Sequence, residues 1–193
     1  MLQIGLSGGI GSGKSTIAKV LEKMGYPVFY SDQVAKRLYD EHPVLQKHLV
    51  DLLGPEVYLN GQVNKQFLAE QLFSNAELKA QVSALVHPIV RSVFESWAQQ
   101  QSSDLVFNEA AILFETGAYL LFDATVLVMA PLEIRIERVQ KRDRISREEV
   151  LKRIANQWTD VKKMELTPHY IINDGRPLLL QIEKLLTVFS TPT

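Results

Sequence analysis

The stretch at residues 8–15 reads GGIGSGKS and fits the pattern G-x-x-x-x-G-K-[ST] at every position. An apolar run at residues 2–6 precedes it, and apolar residues at helical spacing follow it over residues 17–24. The order strand, glycine-rich loop, helix is the context in which this motif binds phosphate, because backbone N–H groups and the amino end of the helix surround the anion. The motif therefore predicts a nucleoside triphosphate site.

The motif also assigns roles to single residues. The Lys14 ammonium is expected to reach the β- and γ-phosphates, and the Ser15 hydroxyl is expected to ligate Mg²⁺. The remaining predicted ATP contacts in this region are Gly9, Gly11, Ser12, Gly13 and Thr16. The motif does not identify the phosphoryl acceptor, which is water, a protein or a small molecule.

Composition narrows the class of protein. The chain has 193 residues, 46% of them apolar, with 21 Lys+Arg against 22 Asp+Glu and no cysteine. A net charge of -1 argues against nucleic acid as a partner, and the missing cysteines exclude disulfides, thiolate nucleophiles and Cys-ligated zinc. No run approaches the ~20 apolar residues that cross a bilayer. We expect a soluble, cytoplasmic chain without membrane contact; the sequence predicts no oligomeric state.

Periodicity predicts an α/β fold with a parallel sheet flanked by helices. Strand-like runs lie at residues 27–30, 105–107, 124–129 and 170–172. Residues 41–101 are helical in pattern, which indicates an inserted helical lobe, with its third helix interrupted at His87-Pro88 and a polar turn at residues 54–65. Further helices are expected from just after Pro131 to about residue 142, from a capping signature at residues 146–149 to about residue 158, and at residues 178–189. The last four residues are expected to fray.

Asp32 follows the second predicted strand, at the sheet edge where ligands bind in open α/β folds. A carboxylate at this place can orient an acceptor hydroxyl and take its proton late in the transition state. The same residue suits the N-cap of a helix beginning near Gln33. Both roles stay open.

Residues 135–153 carry eight Arg or Lys against four Asp or Glu. Such a run is usually a solvated helix face, but basic residues on a closing lid also neutralise the moving phosphoryl group and exclude water. Arg138 and Arg142, one helical turn apart, are the candidates for that role.

Several segments, in this order and spacing, resemble the dephospho-CoA kinase family of P-loop kinases. The resemblance runs nearly end to end and rests on IGLSGGIGSGKST at residues 4–16, SDQVAKRLY at 31–39, HPIVR at 87–91, ILFETG at 112–117, RVQKRD at 138–143, SREEVLKRIANQ at 146–157 and YIINDG at 170–175. It implies a P-loop core at residues 1–40, 104–141 and 167–193, a helical CoA-binding lobe at 41–103 and a lid at 142–166.

The resemblance implies ATP and dephospho-CoA as substrates, with Mg²⁺. Lys14, Asp32 and Arg142 would be catalytic, with Asp32 as the base for the ribose 3′-hydroxyl and Arg142 as the lid arginine. Arg138 would join the ATP contacts, and Asn173 lies in a turn suited to the base side of the nucleotide.

On the acceptor side the resemblance implies His87, Arg91 and Glu115 beside Asp32. Each also has a structural interpretation: His87 ends a helix before a proline, Arg91 pairs with a surface carboxylate, and Glu115 caps a turn.

The sequence departs from the family pattern at three places. Ala111 replaces a proline, residues 167–169 replace an Ala-Asp pair, and the third strand ends without an aspartate. The second protein ligand of the metal is therefore open between Glu109, Asp32 and water. Two other functions remain alternatives: a nucleoside or nucleoside monophosphate kinase, and a slow ATP-hydrolysing switch or binding module.

Overall fold

A computed structural model describes residues 1–190, and the predicted frayed end lies outside them except for Ser190, which is helical. The chain forms two compact units. The first comprises Met1–Tyr30 and the chain from Gln101 onward, and the second comprises Ser31–Gln100. The predicted lobe at residues 41–103 overlaps the second unit, which also includes the first helix after residue 30. The predicted division into core, lobe and lid stays a prediction.

Strands and helices are numbered along the chain. The strands are β1 (Leu2–Ser7), β2 (Val28–Tyr30), β3 (Tyr58–Leu59), β4 (Gln62–Val63), β5 (Leu105–Glu109), β6 (Ala124–Met129) and β7 (His169–Ile172). The helices are α1 (Lys14–Lys23), α2 (Ser31–Glu41), α3 (Pro43–Leu53), α4 (Lys65–Ser74), α5 (Ala76–Gln99), α6 (Leu132–Asp143), α7 (Arg147–Ala155), α8 (Asp160–Met164) and α9 (Leu178–Ser190). Short 3₁₀ turns lie at Pro55–Val57 and Ala118–Leu121.

The first unit contains a five-stranded sheet in the order β2-β5-β1-β6-β7, and every pairing in it is parallel. β1 lies in the middle, with Ile4 beside Phe107 of β5 and beside Ala124 of β6. β5 is buried along its whole length, as expected when helices cover both faces of a parallel sheet. The predicted parallel α/β fold is confirmed.

The core of the first unit joins the sheet to α1 and α9. Its buried side chains are Ile4, Leu6, Ile17, Ala18, Leu21, Leu105, Phe107, Val126, Val128, Ile171, Ile182 and Leu186. Ile17 and Leu21 lie one turn apart on α1, and Ile182 and Leu186 lie one turn apart on α9, so each helix buries one stripe. This packing holds α1, and with it the loop that precedes α1, against the sheet.

In the second unit, α5 corrects one expectation. The helix continues from Ala76 to Gln99 through Pro88, so the predicted interruption at His87-Pro88 is wrong. Apolar residues at four-residue spacing hold it on both sides of the proline; the buried ones are Val82, Val86, Val90, Phe94 and Ala98. The missing N–H of Pro88 costs one helical hydrogen bond, and the burial of this stripe outweighs that loss.

The predicted polar turn at residues 54–65 is also different in the structure. It contains a 3₁₀ turn and an antiparallel hairpin, in which Tyr58 pairs with Val63. Asn60 (φ 52°) and Gly61 (φ 79°) form the two-residue connection, both with positive φ, as a type I′ hairpin requires.

No helix within residues 1–190 is both long and apolar enough to span a membrane.

The predicted capping signature at residues 146–149 is confirmed. Ser146 Oγ accepts a hydrogen bond from the Glu149 N–H (3.2 Å), and Glu149 Oε2 accepts one from the Ser146 N–H (2.9 Å). The helix that it starts, α7, ends at Ala155 rather than near residue 158, and the separate helix α8 follows.

This reciprocal cap gives α7 a predictable response to acid. The hydrogen bond from the Ser146 N–H, then that from its hydroxyl, lowers the pKa of Glu149. The Glu149 carboxylate therefore stabilises the fold fully above its pKa in the unfolded chain, about 4.3. This stabilisation is lost as the pH falls through the lower pKa that Glu149 has in the folded protein. We expect hydrogen-exchange protection factors in α7 to fall over that range. Glu149→Gln should keep the cap but remove this dependence, whereas Glu148→Gln should leave it unchanged; equal acid sensitivity in both variants would contradict this account.

Candidate active site

Residues 8–15, the phosphate loop, connect the carboxyl end of β1 to the amino end of α1. Gly11 (φ 78°) and Gly13 (φ 97°) have positive φ, which favours glycine. Inside the loop the Ser12 N–H donates to the Gly9 carbonyl oxygen (3.1 Å). The glycines of the motif therefore let the backbone turn tightly at this edge of the sheet.

Neighbouring side chains approach the same glycines closely. A Cβ on Gly9 would overlap the Arg135 guanidinium, and a Cβ on Gly13 would overlap the Asn173 amide. A Cβ on Gly11 would lie 2.5 Å from the Arg135 carbonyl oxygen. Because side chains would not fit at these positions, the loop depends on glycine for space as well as for its φ angles.

Lys14 is the first residue of α1 and is largely buried, with 9% of its surface exposed. Ser15 and Thr16, which follow it in the first helical turn, are exposed. The positive end of the helix dipole lies at this terminus. The structure thus places the predicted lysine and hydroxyl groups together where a phosphate chain would meet the helix.

Arg138 and Asn173, the two other predicted ATP contacts, both bind the loop itself in the structure. The Arg138 guanidinium donates to the carbonyl oxygens of Gly11 and Ser12 (both 3.4 Å) and to Asn173 Oδ1 (3.2 Å). The Asn173 amide donates to the Ser12 carbonyl oxygen (2.9 Å). Its own N–H donates to the carbonyl oxygen of Met129 at the end of β6 (2.8 Å). These bonds join the loop to α6 and to the turn after β7.

Sequence reasoning missed two residues at the tip of the loop. Arg135 Nε donates to the Ile10 carbonyl oxygen (2.9 Å), and Gln157 Oε1 accepts from the Ile10 N–H (2.7 Å). Asp160 lies 3.6 Å from the Arg135 guanidinium. Arg135 could have been found, because it precedes Arg138 by one helical turn. Gln157 ends the family-like segment at residues 146–157, but no pattern in the sequence predicts its contact with Ile10.

Arg142 takes a different place from Arg138, although both belong to α6. Its guanidinium donates two hydrogen bonds to the carboxylate of Asp143 (2.7 and 3.0 Å), and 61% of its side chain is exposed. Arg153 binds the same carboxylate (2.9 Å). The hydrogen bonds from Arg142, with the charges of both arginines, lower the pKa of Asp143. In this structure the Arg142 guanidinium therefore binds the Asp143 carboxylate, whereas the Arg138 guanidinium binds carbonyl oxygens of the phosphate loop.

Glu115 contacts residues that follow α7 in the chain. Its Oε1 accepts a hydrogen bond from the Trp158 N–H (3.0 Å) and lies 2.7 Å from Lys163 Nζ. The Lys163 side chain is completely buried, a feature that sequence reasoning missed. Glu115 therefore accepts a backbone N–H, but from a residue 43 positions further along the chain and not from a turn of its own segment.

At the carboxyl end of β5, Glu109 is buried and lies in register with Tyr30, the last residue of β2. Burial, then the hydrogen bond to Glu22 and the charges of Glu22 and Glu109, raises the pKa of Tyr30. A carboxylate therefore lies where the strands of the sheet end, although no aspartate follows β5. Residues 1–190 contain no group of three or more His, Asp or Glu that could hold a metal.

The predicted acceptor-side residues of the second unit lie on two helices. Asp32 is the second residue of α2, which begins at Ser31 and not near Gln33, so the prediction that Asp32 is the N-cap is wrong. Asp32 lies instead in the first turn of the helix. His87 and Arg91 are exposed and one turn apart on α5. Arg91 forms an exposed ion pair with Glu95 (2.7 Å), and partial desolvation lowers the pKa of His87.

Comparison with known proteins finds relatives that match most of the chain. The dephospho-CoA kinase family model matches residues 2–178. The chain is 42% identical over 187 residues to a dephospho-CoA kinase of Bacteroides fragilis, covering 96% of this chain and 91% of that protein. It is 38% identical over 180 residues to that of Porphyromonas gingivalis, covering 93% and 89%.

Solved structures of two other proteins superpose on nearly the whole chain. A crystal structure of a Thermus thermophilus protein superposes with a TM-score of 0.89 at 35% identity, covering 99% of this chain and 98% of that one. The Campylobacter jejuni dephospho-CoA kinase superposes with a TM-score of 0.68 at 21% identity, covering 96% and 94%. A phosphate loop of this geometry, in a chain matched over nearly its full length, identifies the protein as a member of the dephospho-CoA kinase family.

Proposed function

We propose that this protein transfers the γ-phosphoryl group of ATP to the 3′-hydroxyl of dephospho-CoA, which yields coenzyme A and ADP. The observation that supports this proposal is the phosphate loop with Lys14 at the start of α1, in a chain that belongs to this family. A cytoplasmic location is part of the same proposal.

ATP would bind with its phosphates against the N–H groups of the loop and the amino end of α1. Lys14 would interact with the β- and γ-phosphates, and its low exposure would strengthen that interaction because little water screens it. Arg138 and Asn173 already bind the loop and each other, so they would hold the loop in a fixed shape beside the nucleotide. Such preorganised groups stabilise developing charge without rearranging during the reaction.

Mg²⁺ fits the oxygen chemistry of this site. The Ser15 hydroxyl, exposed next to Lys14, would be its protein ligand, and nucleotide phosphates would supply others. When bound, the ion neutralises phosphate charge and orients the phosphoryl group.

On the acceptor side, Asp32 would orient the ribose hydroxyl and accept its proton as the new O–P bond forms. His87 and Arg91, on one exposed face of α5, would bind other parts of dephospho-CoA. Arg91 would exchange its exposed bond to Glu95 for one to the substrate, which costs little because exposed ion pairs are weak.

Acceptor-dependent ADP release tests this function. We expect dephospho-CoA to stimulate ADP release strongly, and Lys14→Met to abolish the stimulated rate because it removes the charge that acts on the transferred group. ADP release that is the same with and without dephospho-CoA would indicate a hydrolysing switch. Equal stimulation by adenosine or AMP would indicate a nucleoside or nucleotide kinase.

Asp32→Asn separates the catalytic role from a helical one. Loss of the proton acceptor should lower kcat about 10²- to 10⁴-fold with unchanged ATP affinity. Loss of a negative charge from the first turn of α2 should cost about 0.3–1 kcal/mol of stability through the helix dipole. Asp51→Asn, at an exposed position of α3, is the matched control. Near-wild-type turnover of the Asp32 variant would rule out Asp32 as the base and make the buried Glu109 the next candidate.

Arg142→Met tests the proposed lid arginine. If Arg142 leaves Asp143 and binds the moving phosphoryl group during the reaction, kcat should fall about 10²- to 10³-fold, more than the KM for dephospho-CoA rises. Arg147→Met removes a comparably exposed arginine of α7 and should leave kcat unchanged. Steady-state kinetics with both substrates measures this; an unchanged kcat for Arg142→Met refutes the role.

A further inference from the structure

We propose that Glu115 is a positioning residue for the phosphate loop, and that it acts on nucleotide binding through the chain at residues 157–163. The inference rests on the proposed function, but it concerns ATP binding, which is measured without the acceptor. It replaces the sequence-based expectation that Glu115 binds dephospho-CoA.

The first link is at the tip of the loop, where both peptide groups of Ile10 are held by side chains. Gln157 Oε1 accepts from the Ile10 N–H at 2.7 Å, and Arg135 Nε donates to the Ile10 carbonyl oxygen at 2.9 Å. These two bonds fix the orientation of the loop backbone. Because the loop binds phosphate through its N–H groups, that orientation affects nucleotide affinity.

The second link is that the two side chains that bind Ile10, those of Gln157 and Arg135, both depend on residues 157–160. Gln157 is the first of these residues, and Asp160, at the start of α8, lies 3.6 Å from the Arg135 guanidinium. Arg135 is 8% exposed, so it needs the opposite charge to offset the cost of burial. A shift of residues 157–160 would therefore move both contacts to Ile10.

The third link is Glu115, which anchors this segment at two points. Oε1 accepts from the Trp158 N–H (3.0 Å), next to Gln157, and pairs with Lys163 (2.7 Å), one turn beyond Asp160. The segment is thus held on both sides of Asp160. A buried charge pair with a backbone hydrogen bond specifies one position more narrowly than apolar packing does.

The same geometry argues against contact with the acceptor. Oε1 already lies beside the Trp158 N–H and the Lys163 ammonium group. Oε2 and Lys163 Nζ have no hydrogen-bond partner within residues 1–190, but both atoms are buried and therefore closed to a ligand from solvent. Only 13% of the Glu115 side chain is exposed. A substrate would have to open this pair in order to reach the carboxylate.

Two charge-free double variants isolate the anchor. Glu115→Leu/Lys163→Met removes both charges and the acceptor for the Trp158 N–H. Glu115→Gln/Lys163→Met removes the same charges but keeps that acceptor. Neither leaves a buried unpaired charge, so both should fold. Gln157→Met removes the side-chain acceptor of the Ile10 N–H at nearly constant volume. Glu165→Gln, at an exposed position two residues beyond the segment 157–163, is the control.

Calorimetry with ATP and steady-state kinetics with dephospho-CoA are the measurements. We expect Glu115→Leu/Lys163→Met and Gln157→Met each to raise the Kd for ATP about 2- to 10-fold, as for the loss of one hydrogen bond. Glu115→Gln/Lys163→Met and Glu165→Gln should bind ATP like the wild type. Adding Gln157→Met to the Leu/Met variant should have little further effect, because the Leu/Met variant already disturbs the contact between Gln157 and Ile10.

Other results overturn the proposal. A higher KM for dephospho-CoA in both charge-free variants, with normal ATP affinity, would place Glu115 at the acceptor. Lower thermal stability with both affinities unchanged would make the pair purely structural. Fully additive effects with Gln157→Met would show a different route. If the Leu/Met variant does not fold, normal ATP affinity in Gln157→Met alone refutes the inference. Failure of the proposed function would appear separately, as absent stimulation of the wild type by dephospho-CoA.

Discussion

The central constraint on this molecule is that β1 is paired on both sides. β5 and β6 fix it in register, and its last four residues are buried. The chain must therefore leave the sheet at Ser7 in one direction, and the packing of α1 against the sheet core determines where it returns. Within the few residues between these fixed points, the loop turns with glycines at positive φ. The position of the phosphate site follows from the packing of the sheet.

Around that loop the first unit buries several cationic groups and places a carboxylate or a carbonyl oxygen close to each of them. Arg135 binds the Ile10 carbonyl oxygen and Asp160, and Lys163 pairs with Glu115. Unpaired, each charge would be costly to bury, so these contacts restrict the arrangements that the surrounding chain can adopt. The loop is held by side chains that are remote from it in sequence and close to it in space.

The sequence was sufficient where structure is determined locally. The phosphate loop, the parallel strands and the Ser146 cap are each specified by adjacent residues, and all are present. Contacts across long separations, such as Gln157 with Ile10, could not be predicted because no periodicity marks them. Pro88 predicts a break that α5 does not have, because burial of apolar residues on both sides of the proline outweighs its local preference. The Asn60-Gly61 hairpin was missed, although that dipeptide is a strong turn signal.

The short strand β2 has a consequence for the order of folding. It has three residues, lies at the sheet edge and pairs with β5, which follows it in the chain only after the entire second unit. Closing that long connection costs entropy before the pairing returns any energy, whereas collapse of the second unit shortens the effective loop. The β2–β5 ladder should therefore form late, and its amides should exchange through local opening more readily than those of β1. The catalytic carboxylate proposed at Asp32 is thus attached to the part of the sheet that is the last to be secured.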